Sequence, residues 1–242
     1  MPTVRTPRMP PIQIIAITVV LAIALLCQVD QPLKVTLAHW LSLPLVAGIF
    51  KYGWAAIISF ILLRNMYYGG FAEAVGVLKS ITLETIFQSV LLIACVGLTI
   101  FGLYWVPILR FSWLYLIPGH SGPASNLILI PATIKFFGPI FLLLLIFNLP
   151  LMARNEELMF RDGTLGWRDG CIRSIKFGLV HCLVGVPICA GLALILSGLW
   201  FTKQYFAGGV DRSTLYHTTY NLIWVVIVLS VLLFNMVNHT SL

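Results

Sequence analysis

Apolar residues run along this chain in long blocks, and the polar residues are gathered into the gaps between them. A hydrocarbon core about 30 Å thick takes roughly 20 apolar residues in a helix, so each block predicts a membrane span. The first runs from Ile12 to Gln28, behind an N-terminus that carries Arg5 and Arg8 and no acid. It has a signal peptide's charged start and apolar core without a small-x-small cleavage site, and an uncleaved anchor is expected. The second, Leu37 to Leu63, is interrupted by Pro44 and Lys51-Tyr52-Gly53 and reads as one kinked helix or as a re-entrant piece plus a span. The third, Ile86 to Val106, is uninterrupted, and Pro118, Gly119, Gly122 and Pro123 mark the connection after it as a loop. The fourth runs from Leu127 to Met152, the fifth from Ile175 to Phe201 and the sixth from Thr214 to Met236. No internal repeat suggests a transporter's doubled architecture.

Composition agrees with this pattern. Of 242 residues, 60% are hydrophobic and 10% charged, with a mean hydropathy of +0.98. Soluble domains run nearer 45–50% apolar and about 25% charged. The fold class expected is therefore an all-α, polytopic transmembrane helix bundle of about six spans. The net charge of +7 is not gathered into a stripe, so no nucleic-acid partner is expected. With the N-terminus in the cytoplasm, Arg5, Arg8, Arg64, Lys79, Arg154, Arg161, Arg168, Arg173 and Lys176 fall inside, while Lys34, Arg110, Lys203 and Arg212 fall outside. That excess predicts cytoplasmic N- and C-termini. The five cysteines form no CxxC pair and lie in or beside apolar segments, as reduced structural cysteines do. His39 beside Trp40 reads as an interfacial anchor, and Trp54, Trp105, Trp113, Trp200 and Trp224 lie near expected span ends or faces, where an aromatic belt would put most of them. Asp211 or Ser213 reads as the cap that starts the sixth helix.

Three pairs of residues carry the chemistry. Glu157 and Arg161 continue the fourth block, with Glu156 beside them; Phe177 and His181 open the fifth; His217 and Asn221 open the sixth. Each pair is spaced i, i+4 and lies on one helix face. A charge inside a membrane helix costs roughly 2.5–3.5 kcal/mol on insertion scales, so such residues are kept where they pair within the bundle or serve a wet cavity. Taken singly, each has a bland reading: a helix-end salt bridge, a hydrogen-bonded packing histidine, an interhelical asparagine. Together, they set two glutamates, an arginine, two histidines and an asparagine on three successive segments.

That order resembles the CPBP family of CAAX prenyl endopeptidases and bacteriocin-processing or self-immunity membrane proteins. The family's motifs Glu-Glu-x-x-x-Arg, Phe-x-x-x-His and His-x-x-x-Asn are matched by Glu156-Glu157…Arg161, Phe177…His181 and His217…Asn221. The resemblance covers 127–236. It divides the chain into an N-terminal membrane region, 1–126, and a catalytic helical core, 127–242. It implies an intramembrane endopeptidase in which Glu156 activates water, His181 helps to hold that water, and His217 with Asn221 forms an oxyanion hole. Glu157, Arg161 and Phe177 would support them, with Arg161 offsetting Glu157 and Phe177 orienting His181.

A zinc site built from two histidines and a glutamate is the competing chemistry. His-Glu-x-x-His is missing, and Cys182 points about 100° away from His181 on an ideal helix. The family is viewed as metal-independent, so no metal and no cofactor is expected. The partners expected are membrane lipid and a peptide or membrane-protein substrate, in a cell membrane and most simply a bacterial inner one. A non-catalytic immunity, assembly or scaffold protein on the same bundle is the alternative function.

Overall fold

The computed structural model describes residues 30–44, 54–67, 71–116 and 137–239, with isolated positions between 15 and 26. The body of the first expected span, Lys51 and the start of the fourth span lie outside the described residues. Among those described, every regular element is helical. The helices are α1 (Gln31–Ser42), α2 (Trp54–Asn65), α3 (Phe71–Lys79), α4 (Leu83–Tyr104), α5 (Phe137–Phe160), α6 (Trp167–Val180) and α7 (Ile188–His239). Helix starts follow ordinary capping chemistry. Asp30 accepts the Leu33 N–H at 3.0 Å to open α1, and Thr82 with Thr85 forms a reciprocal capping box at the head of α4.

Among the described residues two helices, against the six spans expected, are long and apolar enough to cross a membrane: α4, and the Ile188–Val231 portion of α7. Over its most apolar stretch α4 has a mean hydropathy of 2.3 and only 17% of its residues buried. Its outward face carries Phe87, Leu91, Leu98 and Phe101. Its inward face sends Leu92 and Val96 into a core with Phe160, Phe177, Phe201, Tyr216 and Tyr220. A second core joins Leu62 of α2 to Phe141, Leu142 and Leu149 of α5 and to Val225 of α7. The regions on either side of residue 126 therefore share their cores.

Helix α7 is two limbs. The backbone leaves helical geometry at Gly208 and Gly209, and Gly209 has φ +71, a conformation that only glycine adopts at no steric cost. Phe201 and His217 would stand roughly 24 Å apart along a straight helix. Their rings instead stack with centroids 4.3 Å apart, so the chain reverses at the glycines. Arg212 Nε donates to Gln204 Oε1 at 2.9 Å across the break.

Helix α6 runs antiparallel to the first limb at backbone contact. Gly170 faces Thr202, Ser174 faces Gly198, and Gly178 faces Gly191. Small residues four apart on α6 let the two backbones approach, the arrangement that packs helices where lipid removes the hydrophobic drive.

Two expectations fail against this architecture. The fifth span, expected as one helix from Ile175 to Phe201, is divided. It forms the end of α6, a 3-10 turn at His181–Val184, Gly185 at φ 89, Pro187 and then the first limb of α7. Hydropathy runs straight through Gly185 and Pro187, whereas backbone geometry does not. The topology with Arg154 inside and Arg212 outside also fails. Arg154 Nη1 lies 3.3 Å from Asp211 Oδ1, so the end of α5 and the break in α7 sit at one level. Arg161, counted with the inner loops, is fully buried.

Candidate functional site

The site forms where the end of α5 meets the turn of α7. Helix α5 closes with Gly163 at φ 70, and the turn that follows is tied down from three sides. Thr164 Oγ1 donates to the Arg161 carbonyl, Gly163 N–H to the Tyr205 hydroxyl at 3.0 Å, and Arg173 Nη1 to the Asp162 carbonyl at 3.0 Å. This holds the last turn of α5, which carries both glutamates, and Arg161 directly after it.

The two glutamates have different surroundings. Glu157 is fully buried, and each of its oxygens is engaged. Oε1 accepts from His217 Nδ1 at 2.8 Å; Oε2 accepts from the Ser213 hydroxyl and lies 3.5 Å from Arg161 Nε. Arg161 is also fully buried, with Nη2 donating to the Gly198 carbonyl at 3.3 Å and its guanidinium 4.3 Å from the Phe177 ring centroid. Phe160 and Phe201 flank the same cation at 5.7 Å. Aromatic faces thus take up a charge whose Nη1 has no hydrogen-bond partner among the described residues.

Glu156 is 31% exposed at the rim of this cluster. Its Oε2 is nonetheless shielded, without a hydrogen-bond partner among the described residues, and lies 3.7 Å from His217 Nε2. That separation is too long for a direct hydrogen bond and within ion-pair range of a protonated ring. His217 therefore stands between the two carboxylates, tethered through Nδ1 and directed to Glu156 through Nε2.

His181 sits where α6 ends, at the head of the 3-10 turn. Its Nδ1 is 2.7 Å from the Phe177 carbonyl. A carbonyl only accepts, so Nδ1 carries the proton and Nε2 of the neutral ring is left as an acceptor. Phe177 gathers the site: its ring packs edge-to-face on His181 at 4.8 Å, on His217 at 5.6 Å and on Phe160 at 5.5 Å. Asn221 follows His217 by one turn on the same face and is half-buried.

The turn bearing His181 is clamped from outside. Trp113 Nε1 reaches the Cys182 and Leu183 carbonyls at 3.2 and 3.1 Å, Ser112 Oγ donates to the Gly185 carbonyl, and Ile188 N–H donates to the Phe111 carbonyl at 3.1 Å. Trp113, expected in an interfacial belt, is a clamp on the site loop. Trp113→Phe should keep the fold and lower stability by about 1–2 kcal/mol, the worth of a hydrogen bond whose loss strands partly buried carbonyls. Thermal unfolding in detergent measures this, and an unchanged midpoint would deny the clamp.

Of the seven expected residues, Asn221 lies one turn beyond His217 inside the second limb of α7, and the other six come together here. Those six, Glu156, Glu157, Arg161, Phe177, His181 and His217, form one chain of contacts that links α5, α6 and α7. Ser213 joins them without a signal in the sequence. Its place before the sixth block suggests a helix cap, yet its hydroxyl is fully buried against Glu157. Among the described residues no group of three His, Cys, Asp or Glu side chains is placed to hold a metal ion. Comparisons with protein-family models, with curated proteins and with solved structures return no match.

Proposed function

We propose that the chain is an intramembrane endopeptidase with Glu156 as its general base, as its three motifs imply. One observation carries the reading. A shielded Glu156 oxygen with no hydrogen-bond partner among the described residues faces His217 Nε2, while a fully buried Glu157 fixes the opposite side of the same ring. A structural salt bridge needs one carboxylate; the second, on Glu156, is shielded at Oε2 but partly exposed at the rim, where the rest of the group is open to a water.

In the reaction, a water held by Glu156 attacks the scissile carbonyl carbon and passes its proton to the carboxylate. The developing oxyanion is met by donors on the second limb of α7, His217 Nε2 and the Asn221 side-chain amide. His217 can donate from Nε2 only when both ring nitrogens are protonated, and the flanking glutamates are the partners for that charge. Collapse of the tetrahedral species breaks the C–N bond, and the proton on Glu156 goes to the departing amine. His181, whose Nε2 is an acceptor, helps to hold the water from the end of α6.

The setting we propose is a cell membrane, with α4 and α7 among its spans and the substrate a peptide or membrane-associated protein. The test is cleavage of a fluorogenic peptide library by the full chain in lipid vesicles, with and without chelator. Cleavage by the wild type that resists chelator and disappears in Glu156→Gln supports the reading. Cleavage that chelator abolishes would replace it with metal chemistry. Glu156→Gln behaving as wild type in cells, with no cleavage by either protein, would leave a scaffold.

A further inference from the structure

We infer that Ser213 is a positioning residue, which sets Glu157 so that Glu157 in turn holds the Nδ1 proton and fixes the aim of His217; this rests on the endopeptidase reading for its effect on rate. Ser213 lies one turn before His217 on the second limb of α7, fully buried. Its single hydroxyl proton faces two acceptors, Glu157 Oε2 and, at 3.0 Å, the Phe201 carbonyl. The carboxylate is the charged partner of the two, and charge-assisted bonds are the stronger.

Arg161 Nε is 3.5 Å from Glu157 Oε2, an ion pair without a good hydrogen bond. Arg161 therefore neutralises Glu157 without orienting it. Ser213 supplies the directional contact on Oε2, and that leaves Oε1 to take His217 Nδ1 at 2.8 Å. With the Nδ1 proton held there, Nε2 is the nitrogen presented to Glu156 at 3.7 Å. Ser213 and His217 share one helix, so two of the contacts that fix Glu157 come from a single rigid face beyond the Gly208–Gly209 reversal. A carboxylate free to rotate would no longer hold the Nδ1 proton, and a ring that loses that proton cannot keep Nε2 as a donor while Nδ1 serves Glu157.

The test uses the full chain in lipid vesicles as wild type, Ser213→Ala, Ser213→Cys and Ser213→Thr. Cysteine keeps the volume with a weak donor, and threonine keeps the hydroxyl. Two readouts are taken: kcat and KM for peptide cleavage, and the protonation of His217 Nδ1 by nitrogen NMR with labelled histidine at about pH 8, where a free imidazole is neutral. Ser213→Ala and Ser213→Cys should lower kcat about tenfold to a hundredfold with KM unchanged, the loss expected for one hydrogen bond to a charged group. The Nδ1 proton of His217 should become partial in both, and Ser213→Thr should restore both readouts. If Ser213→Ala fails to fold, Ser213→Cys tests the same contact. Wild-type kcat together with a fully protonated Nδ1 in the folded alanine or cysteine variant would overturn the inference while leaving the endopeptidase reading standing. A shifted Nδ1 population in a chain that cleaves no peptide would do the reverse.

Discussion

Arg161→Ala should remove most of the folded protein. The guanidinium is fully buried, and so is the Glu157 carboxylate it offsets. Removing one partner of a buried ion pair strands the other charge away from water and costs about 3–5 kcal/mol. That is a large part of the 5–15 kcal/mol or so by which a domain is stable. The aromatic cage adds to the loss, because the Phe177, Phe160 and Phe201 rings are spaced to receive a planar cation. Arg161→Lys keeps the charge but not the flat face, so it should fall between wild type and alanine. Replacing both partners at once, Glu157→Leu with Arg161→Met, should recover much of the stability and none of the activity, since an apolar pair can substitute for a buried ionic one in packing alone. The measurement is the folded fraction on size-exclusion chromatography in detergent. Arg161→Ala at wild-type levels would contradict the buried pair.

Gly178→Val should separate α6 from the first limb of α7. A Cβ on Gly178 would overlap the Gly191 carbonyl oxygen and lie 2.8 Å from Ile195 Cγ1 and 3.0 Å from the Ile195 nitrogen. Two of these three neighbours are backbone and cannot swing aside, so the helices themselves must move. Overpacking costs 1–3 kcal/mol where side chains give way, and about 3 kcal/mol or more is expected where they do not. Phe177 precedes Gly178, so the same shift pulls its ring from His181 and His217 and activity falls with stability. Gly166→Ala is the control, since nothing lies within 4 Å of a Cβ there. Equal melting of the two variants would show that the close approach is not needed.

Much of the site is legible in the sequence because the chemistry lies in local spacing. Glu157 with Arg161, Phe177 with His181 and His217 with Asn221 are each one helical turn apart, and the turns form as the spacing implies. What joins the three segments is not legible there. Glu157 and His217 are 60 residues apart and Glu157 and Ser213 are 56 apart, so no local pattern could show that His217 serves both glutamates or that Ser213 turns inward. Hydropathy also fails where backbone geometry decides. Val184, Val186, Ile188 and their neighbours keep the fifth block apolar, while Gly185 and Pro187 end one helix and start another. The run Gly170, Ser174, Gly178 is a readable sign of close helix packing, at the four-residue spacing that α6 uses against α7. The polar residues 203–213 resemble an outer loop, yet they form two helix ends around Gly208 and Gly209, beside the end of α5.

The division of labour between the adjacent glutamates is the central claim, and the most direct measurement compares Glu156→Gln with Glu157→Gln for folded yield and for peptide cleavage in lipid vesicles. Glu156→Gln should fold as well as wild type, since its carboxylate is at the rim, and should lose about 10²–10⁴ of the cleavage rate, the usual contribution of a general base. Glu157→Gln should lose yield first, because it leaves Arg161 buried without a counter-charge. A Glu156→Gln protein that cleaves at the wild-type rate, or a Glu157→Gln protein that folds normally while Glu156→Gln does not, would contradict the assignment.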